Sequence, residues 1–259
     1  AQNTTYGVGA GETMSNYAAD GKFQVGSTFK VFTLIEWFKE GHSANETVGS
    51  NNTTYGSNAF KCNGSPIYTD TYPVQDLEGK TGTMNVVRAT GLSVNQADLG
   101  ITEDGEVPTA YPANILGSSS ASPLQVASAF GAIANSGTQC SPQSISSVSD
   151  RDENVLKQYE PSCKSVLEPD IANKTASLLT ASAGQYYTST KLADGRPYAA
   201  KSGTTDYSSN TWLTGFTSSL VTSAWVGHGD NSSQEVSGVV INGVYHSEIF
   251  GETYVGQNI

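Results

Sequence analysis

Cysteine, histidine and positive charge are all scarce in this sequence. It has three Cys (Cys62, Cys140 and Cys163) and three His, with no C-x-x-C pair. That poverty of soft ligands argues against a zinc site, and nothing in the chain calls for a metal or other cofactor. Only 13 Lys and Arg stand against 24 Asp and Glu, for a net charge of -11. Such a surface repels nucleic acid and anionic membranes, so neither is an expected partner. No apolar run of about 18 residues is present to cross a bilayer as a helix. The polar start, Ala1-Gln2-Asn3-Thr4-Thr5, has no signal-peptide pattern. Charged residues make up 14% and hydrophobic ones 37%, which indicates a globular chain rich in uncharged polar residues. That balance suits an extracytoplasmic protein with exposed strands and loops.

At 259 residues the chain can bury one large core or two small ones. Cys140 and Cys163 flank a polar segment and adjoin Ser/Pro-rich turns, so a disulfide between them is expected, in an oxidising compartment. Three reduced thiols is the competing reading. Cys62 is then an odd thiol, or pairs outside this chain.

Val25 to Gly41 reads as a buried helix, apolar at Phe29, Val31, Phe32, Leu34, Ile35, Trp37 and Phe38, with Gly41 as its stop. Residues 42–83 read as irregular with one short strand. Met84 to Leu92 reads as a short helix, and residues 98–117 as turns. Ser122-Pro123 signals a helix start, with Leu124, Val126, Ala127, Phe130, Ile133 and Ala134 as its apolar face. Residues 138–165 read as a short hairpin carrying two cysteines, and Pro169–Ala183 as another helix. Ala199 to Gly227 alternates as strand, Ser-Ser turn, strand, and Val239–Tyr245 adds a strand turned at Asn242-Gly243. The expected class is α+β: one helical lobe intermixed with one built on an antiparallel sheet.

Three short strings carry chemistry. In Ser27-Thr28-Phe29-Lys30 a hydroxyl and an amine stand at i and i+3, on one helix face. A serine is a weak nucleophile that needs a base, and a desolvated lysine near another cation is one. This is the only S-x-x-K in the chain, and its helix is too apolar to lie at a surface. An ordinary helix-start serine beside a lysine that snorkels to solvent is the bland alternative. In Ser93-Val94-Asn95 the hydroxyl can relay a proton beside Lys30 and the amide can hold a substrate backbone. Ser43-Ala44-Asn45, Ser50-Asn51-Asn52 and Ser208-Ser209-Asn210 have the same pattern and read as turns. Ser93 stands out because it ends an apolar helical stretch. Lys201-Ser202-Gly203-Thr204 lies on a strand, where Gly203 admits a substrate close to the backbone. Lys201, with the Ser202 and Thr204 hydroxyls, suits a carboxylate. The N–H groups of Ser27 and Thr204 suit an oxyanion. Lys80-Thr81-Gly82-Thr83 has a similar pattern in polar loop and precedes Ser93.

In combination these strings resemble the transpeptidase domain of bifunctional, class A penicillin-binding proteins of the Gram-positive and actinobacterial kind. Phe23–Lys30, Ile115-Leu116-Gly117, Ser122-Pro123-Leu124, Ala200–Thr205 and Thr222–Gly227 resemble that family too, and the likeness spans nearly the whole chain. It implies a β-lactamase/transpeptidase-like fold and a serine acyl-enzyme. Ser27 would attack the penultimate D-Ala carbonyl of a peptidoglycan stem peptide, and an acceptor amine would resolve the ester into a crosslink. Penicillins and other β-lactams would stay attached to Ser27. The resemblance makes Lys30 the base and Ser93 the relay. Asn95, Lys201, Ser202, Gly203, Thr204 and Thr205 would be substrate-binding, with no metal or cofactor.

The pattern departs from the family in places. Only 26 residues precede Ser27, the chain stops at Gln257-Asn258-Ile259, and no glycosyltransferase domain is present. Gln96-Ala97 runs almost directly into Asp98-Leu99-Gly100, where the family has a longer helix. The expectation is one transpeptidase domain over 1–259, short at both ends, from an extracytoplasmic protein anchored through a longer parent. Competing readings are a D,D-carboxypeptidase, a serine β-lactamase, and a module that binds β-lactam or muropeptide without turnover. The β-lactamase string E-x-x-L-N finds only Glu153-Asn154-Val155-Leu156-Lys157, which ends in the wrong residue.

Overall fold

The computed structural model describes residues 15–49, 51, 54–62, 65–66, 68–75, 82–95, 112–229, 234–241 and 243–251. Helix α1 (Lys30–Lys39) is entered through a 3-10 turn, Gly26–Phe29, so the tract expected from Val25 begins in tighter form. Val31, Leu34, Trp37 and Phe38 are buried along α1, and Gly41 ends the tract at φ +91.

The stretch 42–83 holds more order than expected. Thr47–Gly49 pairs with Thr83–Asn85, Thr54–Tyr55 with Tyr72–Pro73, and Lys61–Cys62 with Ser65–Pro66. Strands of two or three residues have no readable period. A small cluster of Tyr55, Phe60, Val74 and Ile115 organises part of this region. Helix α2 (Val86–Leu92) begins two residues later than Met84. Asn85 is its N-cap, extended at ψ 161, and its side chain accepts from the Arg88 N–H at 2.9 Å. A cap residue cannot itself be helical, so Met84 falls in the preceding strand.

Helix α3 (Pro123–Ala134) opens on a capping box between Ser122 and Gln125. Leu124, expected on its apolar face, is 42% exposed. It precedes buried Val126 by two residues, about 200° around the helix, and so faces away from Val126, Phe130 and Ile133. Ala134 is exposed as well. Helix α4 (Pro169–Tyr186) runs one turn past Ala183. Between α3 and α4, Thr138–Cys140 pairs with Cys163–Ser165 and the expected Cys140–Cys163 disulfide is formed. A second hairpin, Ser147–Ser149 with Val155–Gln158, extends from this base and is exposed throughout.

Strands β1 (Ala199–Thr204), β2 (Asn210–Phe216) and β3 (Val221–Gly227) form an antiparallel meander with β2 in the centre. Ser237–Ile241 and Val244–Glu248 make a separate hairpin, and Asn242 of its expected turn lies outside the described residues. Phe23, Val31, Phe130, Leu179 and Trp212 bring α1, α3 and α4 against the sheet. Leu34, Trp37, Val86, Val94 and Leu178 form a second cluster joining α1, α2 and α4. Each such side chain contributes roughly 1.5–3 kcal/mol by burial. The Trp212 indole N–H donates to the Gln24 carbonyl at 2.7 Å, which ties the segment before Ser27 to the middle of the sheet.

Candidate active site

The 3-10 turn carrying Ser27 lies against the end of the Lys201 strand, β1. Gly26 sits at φ +53, and a Cβ there would stand 3.0 Å from the Thr204 carbonyl oxygen. A Cβ on Gly203 would stand 2.4 Å from both Thr28 Oγ1 and the Val25 carbonyl oxygen. Glycine at both positions is what lets the two backbones meet. Gly203 therefore serves first to admit the protein's own turn. Lys30 follows Ser27 by three residues in one continuous right-handed tract.

Lys30 and Lys201 are buried, at 5% and 0% exposure. The Lys30 Nζ donates to the Ser93 carbonyl at 2.7 Å and to Asn95 Oδ1 at 2.6 Å, and lies 3.3 Å from Ser93 Oγ. The Lys201 Nζ donates to the same Ser93 Oγ at 2.9 Å and to the Ser202 carbonyl at 2.9 Å. Asn95 Nδ2 donates in turn to the Gln75 carbonyl at 2.7 Å. Ser93 follows α2 in the left-handed region, at φ 56, which few non-glycine residues adopt. That conformation turns its carbonyl and hydroxyl toward the two lysines. Residues from three distant strings thus converge on one hydroxyl.

Two predicted residues are engaged otherwise. Ser202 Oγ lies 3.1 Å from the Tyr187 hydroxyl, which also accepts from the Ser202 N–H at 3.1 Å. Thr205 Oγ1 sits in the turn before β2, 3.0 Å from Ser209 Oγ and accepting from the Asn210 N–H at 3.0 Å. Tyr187 went unseen in the sequence, since a tyrosine after a helix carries no motif. Burial pushes the nearby Tyr198 phenol above its ordinary range, and its hydroxyl donates to the Tyr187 carbonyl at 3.2 Å. Among the alternative strings, Ser43 Oγ accepts from the Asn45 N–H in a turn. Lys80 and Thr81 lie outside the described residues. Glu153 lies in the turn of the exposed hairpin. No cluster of three or more metal-ligating side chains occurs among the described residues.

The architecture matches solved penicillin-binding proteins. The Mycobacterium tuberculosis protein PonA1, in complex with penicillin V, aligns at TM-score 0.73 and 22% identity over 94% of this chain and 68% of that one. Penicillin-binding protein 1A of Haemophilus influenzae aligns at TM-score 0.67 and 18% identity, over 86% of this chain and 40% of that one. The fold is thus the α+β fold of penicillin-binding transpeptidase domains. In sequence, penicillin-binding protein 1A of M. tuberculosis is 26% identical over 267 residues, covering 87% of this chain and 31% of the relative. Penicillin-binding protein 1B of H. influenzae is 28% identical over 179 residues, covering 66% and 23%. The chain spans a third or less of the length of these curated relatives. Residues 1–241 match the penicillin binding protein transpeptidase domain, and the chain belongs to that family.

Proposed function

We propose that the chain is a serine D,D-transpeptidase domain that crosslinks peptidoglycan stem peptides and is acylated by β-lactams at Ser27. The observation that carries the reading is the Ser93 hydroxyl, 3.3 Å from the Lys30 Nζ and 2.9 Å from the Lys201 Nζ. Family membership supports it independently.

In this reading Lys30 begins as the neutral amine. The Ser93 backbone carbonyl and Asn95 Oδ1 accept from its Nζ and hold it beside the Ser93 hydroxyl. Ser27 Oγ forms a bond to the penultimate D-Ala carbonyl carbon and loses its proton to Lys30. The Ser27 and Thr204 N–H groups stabilise the oxyanion. Collapse breaks the amide bond, and Ser93 passes a proton to the departing D-Ala amine, replenished from Lys30. The acceptor amine then attacks the ester, giving up a proton by the same relay in reverse, and Ser27 is restored. Lys201, Ser202 and Thr204 hold the donor carboxylate, and Asn95 the donor backbone. The disulfide and this substrate support a place outside the cytoplasm, as part of a longer membrane-anchored parent.

The test is intact-protein mass after incubation with benzylpenicillin, beside Ser27→Ala. An adduct of the drug's mass, absent from Ser27→Ala, is expected. No adduct and no loss of drug on folded protein overturns the reading. Loss of the drug without an adduct indicates a β-lactamase. D-Ala release without crosslinking indicates a carboxypeptidase, and trapping without either indicates a binding module.

A further inference from the structure

Tyr187 directly follows α4 and is 2% exposed. Its carbonyl accepts from the Thr190 N–H at 3.1 Å, the Thr190 hydroxyl at 3.0 Å and the Tyr198 hydroxyl at 3.2 Å. Its ring packs with Ala183 and Ala200. A tyrosine pinned this firmly at its backbone has a hydroxyl in a defined place. That place is the edge of β1, 3.1 Å from both Ser202 N and Ser202 Oγ.

The strand register says what this contact does. The Thr205 N–H donates to the Asn210 carbonyl at 3.0 Å, continuing the ladder that pairs Thr204 with Thr211 and Ser202 with Leu213. Alternation then points the backbone groups of Lys201 and Gly203 toward β2, and those of Ser202 and Thr204 outward. Both outward groups of Ser202 are already used. The Tyr187 hydroxyl takes its N–H, and the Lys201 Nζ takes its carbonyl at 2.9 Å. Thr204 is the next residue to turn outward, beside Gly26.

We infer that Tyr187 is a positioning residue for the donor substrate, an inference that rests on the acyl-transfer reading above. A phenol has one proton and two acceptor lone pairs. In this inference the phenol accepts the Ser202 N–H on one lone pair and gives its proton to Ser202 Oγ, which leaves the Ser202 proton for the donor carboxylate. The same contact closes the strand edge at Ser202. An extended donor therefore pairs at Thr204, next to Ser27, rather than two residues back, where its carbonyl would miss the nucleophile.

The experiment is Tyr187→Phe, which keeps the ring and removes the hydroxyl. Acylation rate constants are measured for benzylpenicillin and for its methyl ester, which lacks the carboxylate, with thermal unfolding recorded alongside. The free-acid rate is expected to fall about tenfold, the worth of one well-placed hydrogen bond. The ester rate stays near wild type, so the acid-to-ester ratio drops, while the unfolding temperature falls by a few degrees because the buried Ser202 N–H loses its acceptor. Ser202→Ala lowers the same ratio, and the double variant lowers it no further. Should Tyr187→Phe fail to fold, Tyr187→Met, which also lacks the hydroxyl, decides by the same ratio. Acid and ester slowed equally, or neither slowed, overturns the inference and leaves acyl transfer standing. Absence of any adduct on folded wild-type protein overturns the acyl-transfer reading, and this inference with it.

Discussion

Lys201 donates to Ser93 Oγ at 2.9 Å across 108 residues of chain. Lys30 reaches the same hydroxyl from 63 residues on its other side. A single oxygen between two buried amines is suited to passing a proton, because one amine can fix it while the other exchanges with it.

That arrangement orders the effects of substitution. Lys30→Ala is expected to slow acylation by benzylpenicillin by roughly 10²–10⁴-fold, the usual worth of a positioned acid–base group. Ser93→Ala should slow it less than Lys30→Ala does, since in the proposed mechanism Lys30 takes the Ser27 proton itself. Rates within twofold of wild type for Lys30→Ala, read with a fluorescent penicillin, would remove Lys30 from the mechanism.

Gly26→Ala tests the contact that seats the turn carrying Ser27. The added methyl would stand 3.0 Å from the Thr204 carbonyl at a backbone φ of +53. The expected loss is about 1–3 kcal/mol of stability, together with slower acylation. Chemical denaturation and the adduct rate measure the two. A variant as stable and as fast as wild type would show that the turn and β1 can separate freely.

Opening the Cys140–Cys163 disulfide by paired Ser substitution should act on stability alone. The bridge closes 23 residues of sequence around an exposed hairpin, and such a loop is worth about 3 kcal/mol in the chain-entropy account. The acylation rate is expected to stay at the wild-type value. A large loss of acylation in folded protein would connect the hairpin to the site.

Acid should weaken the fold through three exposed carboxyls. The Ser43 N–H holds Glu46 below the ordinary carboxylate range, helped by His42. Asn154 does the same for Asp150, and Arg196 for Asp194. A depressed folded value means stability that is present at neutral pH and lost as pH falls through it. Unfolding temperature should therefore decline below roughly pH 4, where free carboxyls protonate. Asn154→Ala should reduce the steepness of that decline, and an unchanged acid profile would assign it to other groups.

The residues proposed to react were legible because their signal is local. Ser27 and Lys30 share a helix face by spacing alone, Ser93-Val94-Asn95 ends an apolar stretch, and Lys201 heads an alternating run. Helix starts were legible where the cap is chemical, as at Ser122-Pro123, and misplaced where the cap is also a strand residue, as at Asn85. The two-residue strands between 54 and 73 were not legible, since their order comes from Tyr55, Phe60 and Val74 packing together.

The sequence by itself determined which functional groups are available and the elements that carry most of them, because spacing and capping act over a few residues. Tertiary structure alone decided that two lysines share the Ser93 hydroxyl, and that Gly26 and Gly203 serve an approach of two backbones. It alone brought Tyr187 from the end of α4 to the edge of β1. These relationships join residues 15 to 177 positions apart. What sets them is how helices and sheet bury their common apolar surface, and no local pattern records that.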